Sequence, residues 1–150
     1  MTDLHVARFA ELDAATLYAL IRLRADVFVV EQKCAYLDLD GRDLEADTRH
    51  LWLAGDGEPP AAYLRVLSDH AGRARIGRVC VARDQRGRGH ARRLMRAALD
   101  LIGDRPCDLN AQSYLVDFYA EFGFRVVGPE FLEDDIPHMP MARSDLACRR

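Results

Sequence analysis

The spacing of apolar positions changes several times along this chain, and each change marks an element. Leu4 to Phe9 alternates as a short strand does. Asp13 stands at a helix-cap position ahead of Leu17, Leu20, Ile21, Leu23 and Arg24, which run at helical spacing toward Val27 and Phe28. The β-branched run Val27-Phe28-Val29-Val30 is expected to interrupt that helix. From Glu31 to Arg49 the chain is too polar and too rich in turn formers for a core, which predicts a functional loop carrying at most one helical turn. His50 to Ala54 and Ala61 to Leu67 flank a Gly- and Pro-rich turn as an antiparallel hairpin. A further turn at Asp69 to Gly72 leads into a strand from Ala74 to Ala82.

Helical period returns at Ala91, Leu94, Met95, Ala98, Leu101 and Ile102, with Arg92, Arg93, Arg96 and Asp100 on the other face. Cys107 to Asn110 reads as a strand brought back parallel by that helical crossover. Tyr114 to Phe122 is helical and stops at Gly123. Phe124 to Val127 is a strand, Glu130 to Asp135 an acidic loop, and Ile136 to Ala142 a final edge strand broken by prolines. The order predicts an α/β (α+β) domain with a mixed, mostly antiparallel sheet.

Composition narrows this picture. The chain has 150 residues, 49% of them hydrophobic, which suits one domain over 1–150 with a single core. Lys33 is the only lysine among 21 basic residues, and the formal net charge of -3 argues against a nucleic-acid partner. No apolar run approaches the roughly twenty residues needed to span a bilayer, and the N-terminus has no signal-peptide pattern. A cytoplasmic protein without a membrane partner is expected. Cys34, Cys80, Cys107 and Cys148 are too scattered for a metal ligand set, so they read as free thiols and no metal is expected.

The stretch Arg86-Gly87-Arg88-Gly89-His90-Ala91, between a strand and an amphipathic helix, has the chemistry of an anion site. Glycines let backbone N–H groups approach a ligand, the helix start adds partial positive charge, and arginines supply forked donors. A nucleoside-triphosphate loop would need Gly-Lys-Ser/Thr. A dinucleotide fingerprint would need a third glycine where Arg92 stands. What remains is Arg-x-x-Gly-x-Ala, which resembles the coenzyme A pyrophosphate loop of the GNAT acyltransferases.

The likeness extends from Arg75 to Met141 in its order of elements, including Phe118-Tyr119-Ala120-Glu121-Phe122-Gly123-Phe124. Arg22 to Gln32, Asp38 to Asp43, Thr48 to Leu51 and Ile136-Pro137-His138 are similar to the ElaA-like subgroup. The resemblance implies a sheet of six to seven strands flanked by about four helices. It also implies an acetyl-CoA-dependent N-acetyltransferase, acting by direct attack on a small-molecule or peptide amine acceptor, as a monomer or homodimer. By the same resemblance the backbone of Val79, Cys80 and Val81 would pair with the pantetheine arm. Arg86, Gly87, Arg88, Gly89, His90 and Ala91 would take the pyrophosphate, and Gln112 stands where many members have asparagine. Tyr119 occupies the position of the acid that protonates the leaving thiolate.

An amine that arrives protonated must lose a proton before it attacks. Glu31, whose pKa burial beside the valine run could raise, ranks first as the base, followed by His50, with His138 a third candidate. The carboxylates from Asp38 to Asp47 read either as a cradle for a cationic acceptor or as a solvated loop. Cys80 is a conceivable nucleophile that more simply packs in the sheet. Two other functions remain open at this level: a silent acyl-CoA sensor, and an acyl-homoserine-lactone synthase-like acyltransferase.

Overall fold

A computed structural model describes residues 2–144, so Cys148 lies outside the described residues. The chain runs β1 (Asp3–Ala7), α1 (Ala14–Arg24), β2 (Arg49–Ala54), β3 (Ala62–Ser68), β4 (Ala74–Val81), α2 (His90–Ile102), β5 (Cys107–Gln112), α3 (Val116–Ala120), β6 (Arg125–Val126), β7 (Phe131–Glu133) and β8 (Ile136–Arg143). The strands form one sheet in the order β1-β2-β3-β4-β5-β8-β6, with β7 also on β8. All neighbours are antiparallel except β4 and β5.

Alternation along the strands sends side chains to two cores, one on each face of the sheet. Leu51, Leu53, Leu64, Val66, Ile76 and Leu109 face the side covered by α2 and α3, where Leu94, Met95, Ala98, Tyr119 and Phe124 meet them. Trp52, Ala54, Tyr63 and Cys80 face α1 and pack on Leu20, Leu23, Val27 and Phe28.

Three expectations are corrected here. The valine run does not end the first helix: Ala25–Glu31 continues it as a π-helical turn, with Gln32 N–H donating to the Val27 carbonyl and Cys34 N–H to that of Val29. The wider turn relieves the side-chain crowding of Val27, Val29 and Val30. Nor is β8 an edge strand, because β5 lies on one side and β6 and β7 on the other. Its prolines fall where no ladder bond is required of them. Pro140 shows its backbone to the short β6, its carbonyl accepting from Val127 N–H, while Pro137 lies past the last β5 pair, Gln112 with His138. The acidic loop contains an extra strand, β7, joined to β8 by Asp134 and Asp135 at φ 52° and 63°. Such a left-handed pair makes the tight hairpin turn that asparagine and aspartate tolerate best.

Candidate functional site

The parallel pairing of β4 with β5 lasts two residues, Ala74 with Cys107 and Arg75 with Asp108. Beyond them the strands diverge. The cause is local: β4 places Arg78 and Val79 opposite the single residue Leu64 of β3, and Arg78 has φ 55°. A bulge of this kind bends its strand. After it, Ala82 N–H donates to the Ala61 carbonyl, so by alternation Val79 and Val81 direct their N–H and C=O groups away from β3, into the gap. The opening is a cleft of about 420 Å³, bounded by Val79, Leu109, Gln112, Leu115, Tyr119 and His138 among others.

Arg78 is held in its left-handed conformation by its side chain. Its Nη2 donates to the Asp38 carbonyl at 3.0 Å, its Nε lies 2.8 Å from Asp38 Oδ1, and its guanidinium stacks over Tyr36. The Nε–H points wide of that carboxylate, so the contact is an ion pair without a well-aligned hydrogen bond. Asp38 in turn accepts from buried Arg24, which also donates to Asp43 at 2.8 Å. Arg65 grips Asp40 with two donors, at 2.9 and 2.6 Å, and reaches Asp43 at 3.0 Å. Three arginines therefore neutralise three aspartates, so at Asp38, Asp40 and Asp43 both readings of the Asp38 to Asp47 carboxylates, an open cradle for a cation and a solvated loop, are corrected. The Arg65 hydrogen bond is the main reason that the Asp40 carboxyl sits well below the usual carboxylate range. For Asp43 burial pushes upward, and its bonds to Arg24 and Arg65 outweigh it.

Between β4 and α2 lies the glycine loop. Gly87 and Gly89 have φ 77° and 79°, which a side chain would strain, and a Cβ added at either would meet no atom within 4 Å. The loop face is thus open to a ligand. α2 follows at once, with Arg93 N–H the first to bond back within it, so the amides of residues 90 to 92 have no partner inside the helix. Such a start favours an anion.

Of the residues picked from sequence, the structure gathers Val79, Gln112, Tyr119 and His138 at the cleft, while Val81 ends β4 and residues 86 to 91 follow it into α2 outside the cleft lining. Cys80 is corrected as a pantetheine partner: by the same alternation its backbone faces Tyr63 of β3, and its side chain is buried on the opposite face, where burial pushes the thiol up to about 12. The Arg86 side chain is engaged in two ways: it donates to both oxygens of Glu31, at 2.6 and 2.7 Å, and to the Val81 carbonyl at 3.2 and 3.1 Å. Glu31 is corrected accordingly. The Arg86 bond lowers its pKa instead of burial raising it, so it is a poor proton acceptor near neutrality.

His50 is corrected too. It is 2% exposed, and both ring nitrogens are in use. Its Nε2 faces the Asp43 carbonyl at 3.1 Å and must carry the proton, so Nδ1 accepts from the Tyr63 hydroxyl at 2.6 Å. Burial lowers its pKa, and it lines a separate apolar cavity under α1 with Leu20 and Leu44. Tyr119 is 6% exposed, and burial raises its pKa, so its phenol stays protonated. Sequence reasoning missed Arg24, Arg65 and Arg78. An arginine on the apolar side of α1 was the one available signal.

A parallel strand pair that parts after two residues, with a glycine loop and helix start following its first strand, is the architecture of an acyl-CoA-dependent acyltransferase. Comparison with known proteins agrees. The chain belongs to the GNAT acetyltransferase family, whose acetyltransferase (GNAT) domain model matches residues 27–144. It is 55% identical to a UPF0039 protein of Mycobacterium tuberculosis over 136 residues, 89% of this chain and 87% of that one. Escherichia coli ElaA is 43% identical over 147 residues, 94% of each, and its crystal structure superposes with a TM-score of 0.90 over 96% of this chain and 100% of that one. The structure of an acyl-CoA N-acyltransferase from Pseudomonas aeruginosa is 44% identical, with a TM-score of 0.88 over 96% of this chain and 100% of that one. Among the described residues no helix is long and apolar enough to cross a membrane.

Proposed function

We propose that this acyltransferase moves an acetyl group from acetyl-CoA to a primary amine on a small molecule or peptide, by direct attack in a ternary complex. The observation that carries the reading is the parting of β4 from β5 at the Arg78 bulge. It turns the polar groups of Val79 and Val81 toward a cleft that Tyr119 also borders. The backbone of Val79 supplies strand-like partners for the amides of a pantetheine arm, the Val81 carbonyl being already taken by Arg86. The amides of Gly87 to Ala91 supply donors for a pyrophosphate. Arg86 contributes by capping the Val81 carbonyl and fixing the loop against Glu31, more than by reaching the phosphates itself. The Val81 N–H is a candidate donor to the thioester oxygen as it gains charge. Tyr119, kept neutral by burial, gives its proton to the departing thiolate. A buried Cys80 with a raised pKa supports transfer without a covalent enzyme intermediate.

The test is thiol release from acetyl-CoA with spermidine, tyramine, kanamycin and a lysine-containing peptide as acceptors. Turnover with at least one, giving the N-acetyl product, is expected. Tight acetyl-CoA binding with no turnover on a broader set of amines would point instead to an acyl-CoA sensor.

A further inference from the structure

With Glu31 bonded to Arg86 and His50 sealed beneath α1, the amine's proton has to go elsewhere. On the cleft wall, His138 of β8 sits beside its β5 partner Gln112, 7% exposed and stacked at 5.9 Å on Phe131 of β7. Its Nδ1 lies 2.7 Å from the Ile136 carbonyl. A carbonyl only accepts, so Nδ1 carries the hydrogen and a neutral ring has its lone pair on Nε2. The nearest charged group to that nitrogen is Glu133, whose Oε2 is 3.5 Å away.

We propose that His138 is the general base of the transfer, with Nε2 as the accepting atom and Glu133 as the carboxylate that steadies the imidazolium. The proposal rests on the acyltransfer reading given above. The acceptor enters as an ammonium, and one N–H bond breaks as Nε2–H forms. The freed lone pair makes the C–N bond to the thioester carbon while the carbonyl electrons move to oxygen. When the adduct collapses, the C–S bond breaks, its electron pair leaves with sulfur, and sulfur takes the Tyr119 proton. The second proton shed by nitrogen restores the phenol through water. The proton on His138 then leaves to solvent past the half-exposed Glu133.

The surrounding charges favour this role. The β7–β8 hairpin adds Asp134 beside Glu133, which draws an ammonium group to the same wall. Facing it across the cleft, Asp40 is neutralised by Arg65 and Arg78, and Tyr36 and Tyr119 are neutral. From β5 the facing Gln112 carries no charge.

His138→Asn keeps a donor near the Ile136 carbonyl and removes the basic nitrogen. With the fastest acceptor of the panel above, kcat is expected to fall by about 10²-fold at pH 7, with the KM for acetyl-CoA little changed. The loss should shrink as pH rises and more amine arrives unprotonated. Glu133→Gln removes the carboxylate 3.5 Å from Nε2 and should lower kcat by less than His138→Asn does, with the KM for acetyl-CoA unchanged and part of the rate recovered in Glu133→Asp. Full activity in His138→Asn, or in Glu133→Gln, overturns the proposal. A readout independent of turnover is the tautomer seen in long-range proton–nitrogen NMR: a neutral Nδ1–H ring is expected, and an Nε2–H ring contradicts it. If no amine is acetylated at all while the Nδ1–H tautomer is found, the acyltransfer reading fails rather than the geometry of the base.

Discussion

The two edges of β4 are made of the same residues and do opposite things. Toward β3 the ladder runs from Ala74 to Val81 with one bulge; toward β5 it stops after Arg75. The closed edge gives stability, and the open edge leaves backbone donors and acceptors for a ligand. Arg78 decides where one becomes the other, and it is held by Asp38 and Asp40 on a loop nearly forty residues earlier in the chain. The lesson is that an opened strand needs a rigid support. Here that support is a buried ion-pair cluster, whose charges are worth little as net stability but are costly to leave unpaired.

Breaking the support should have the largest effect. Arg24→Ala takes away one of the two arginines that hold each of Asp38 and Asp43 in a buried setting, and a loss of roughly 3 kcal/mol is expected in chemical denaturation. Acetyl-CoA binding should fail with it at temperatures where the variant is still partly folded. Tyr119→Phe leaves both edges of β4 as they are and removes one proton donor. Its kcat should fall by about 10²-fold with coenzyme A affinity unchanged, measured by thiol release and by calorimetry. Arg86→Ala frees the Val81 carbonyl and the Glu31 carboxylate together. Acetyl-CoA should bind about tenfold more weakly, near the low end of the scale for hydrogen bonds to charged groups. The smallest effect concerns Asp40. Its pKa is depressed on folding, so its stabilisation is present above the unfolded carboxylate value near 4 and is lost as pH falls below it. Unfolding midpoints between pH 5 and pH 3 should therefore drop less steeply in Asp40→Asn than in the parent.

Much of this was legible in the residues. The glycine loop, the α2 stripe, the hairpin and the parallel return of β5 all rest on local spacing, and local spacing is what a sequence displays. The charge network was not, because Asp38, Asp40 and Asp43 look like a solvated acidic run until Arg24, Arg65 and Arg78 arrive from three other elements. Glu31 and Arg86 are 55 residues apart, so the direction of the Glu31 shift was hidden for the same reason. The bulge itself had no signal, since an arginine rarely adopts positive φ and does so here only through tertiary contacts. For β8, prolines that suggest an edge are tolerated inside the sheet because each meets a stretch with no ladder bond to supply.

The central claim is that the open edge of β4 receives the acyl donor. Titration of labelled protein with acetyl-CoA, followed by backbone amide NMR, tests it most directly. The largest shifts are expected at Val79, Val81 and residues 87 to 91, with the amides around His50 and Leu20 unmoved. Large shifts around the apolar cavity under α1, with Val79 and Val81 silent, would contradict it.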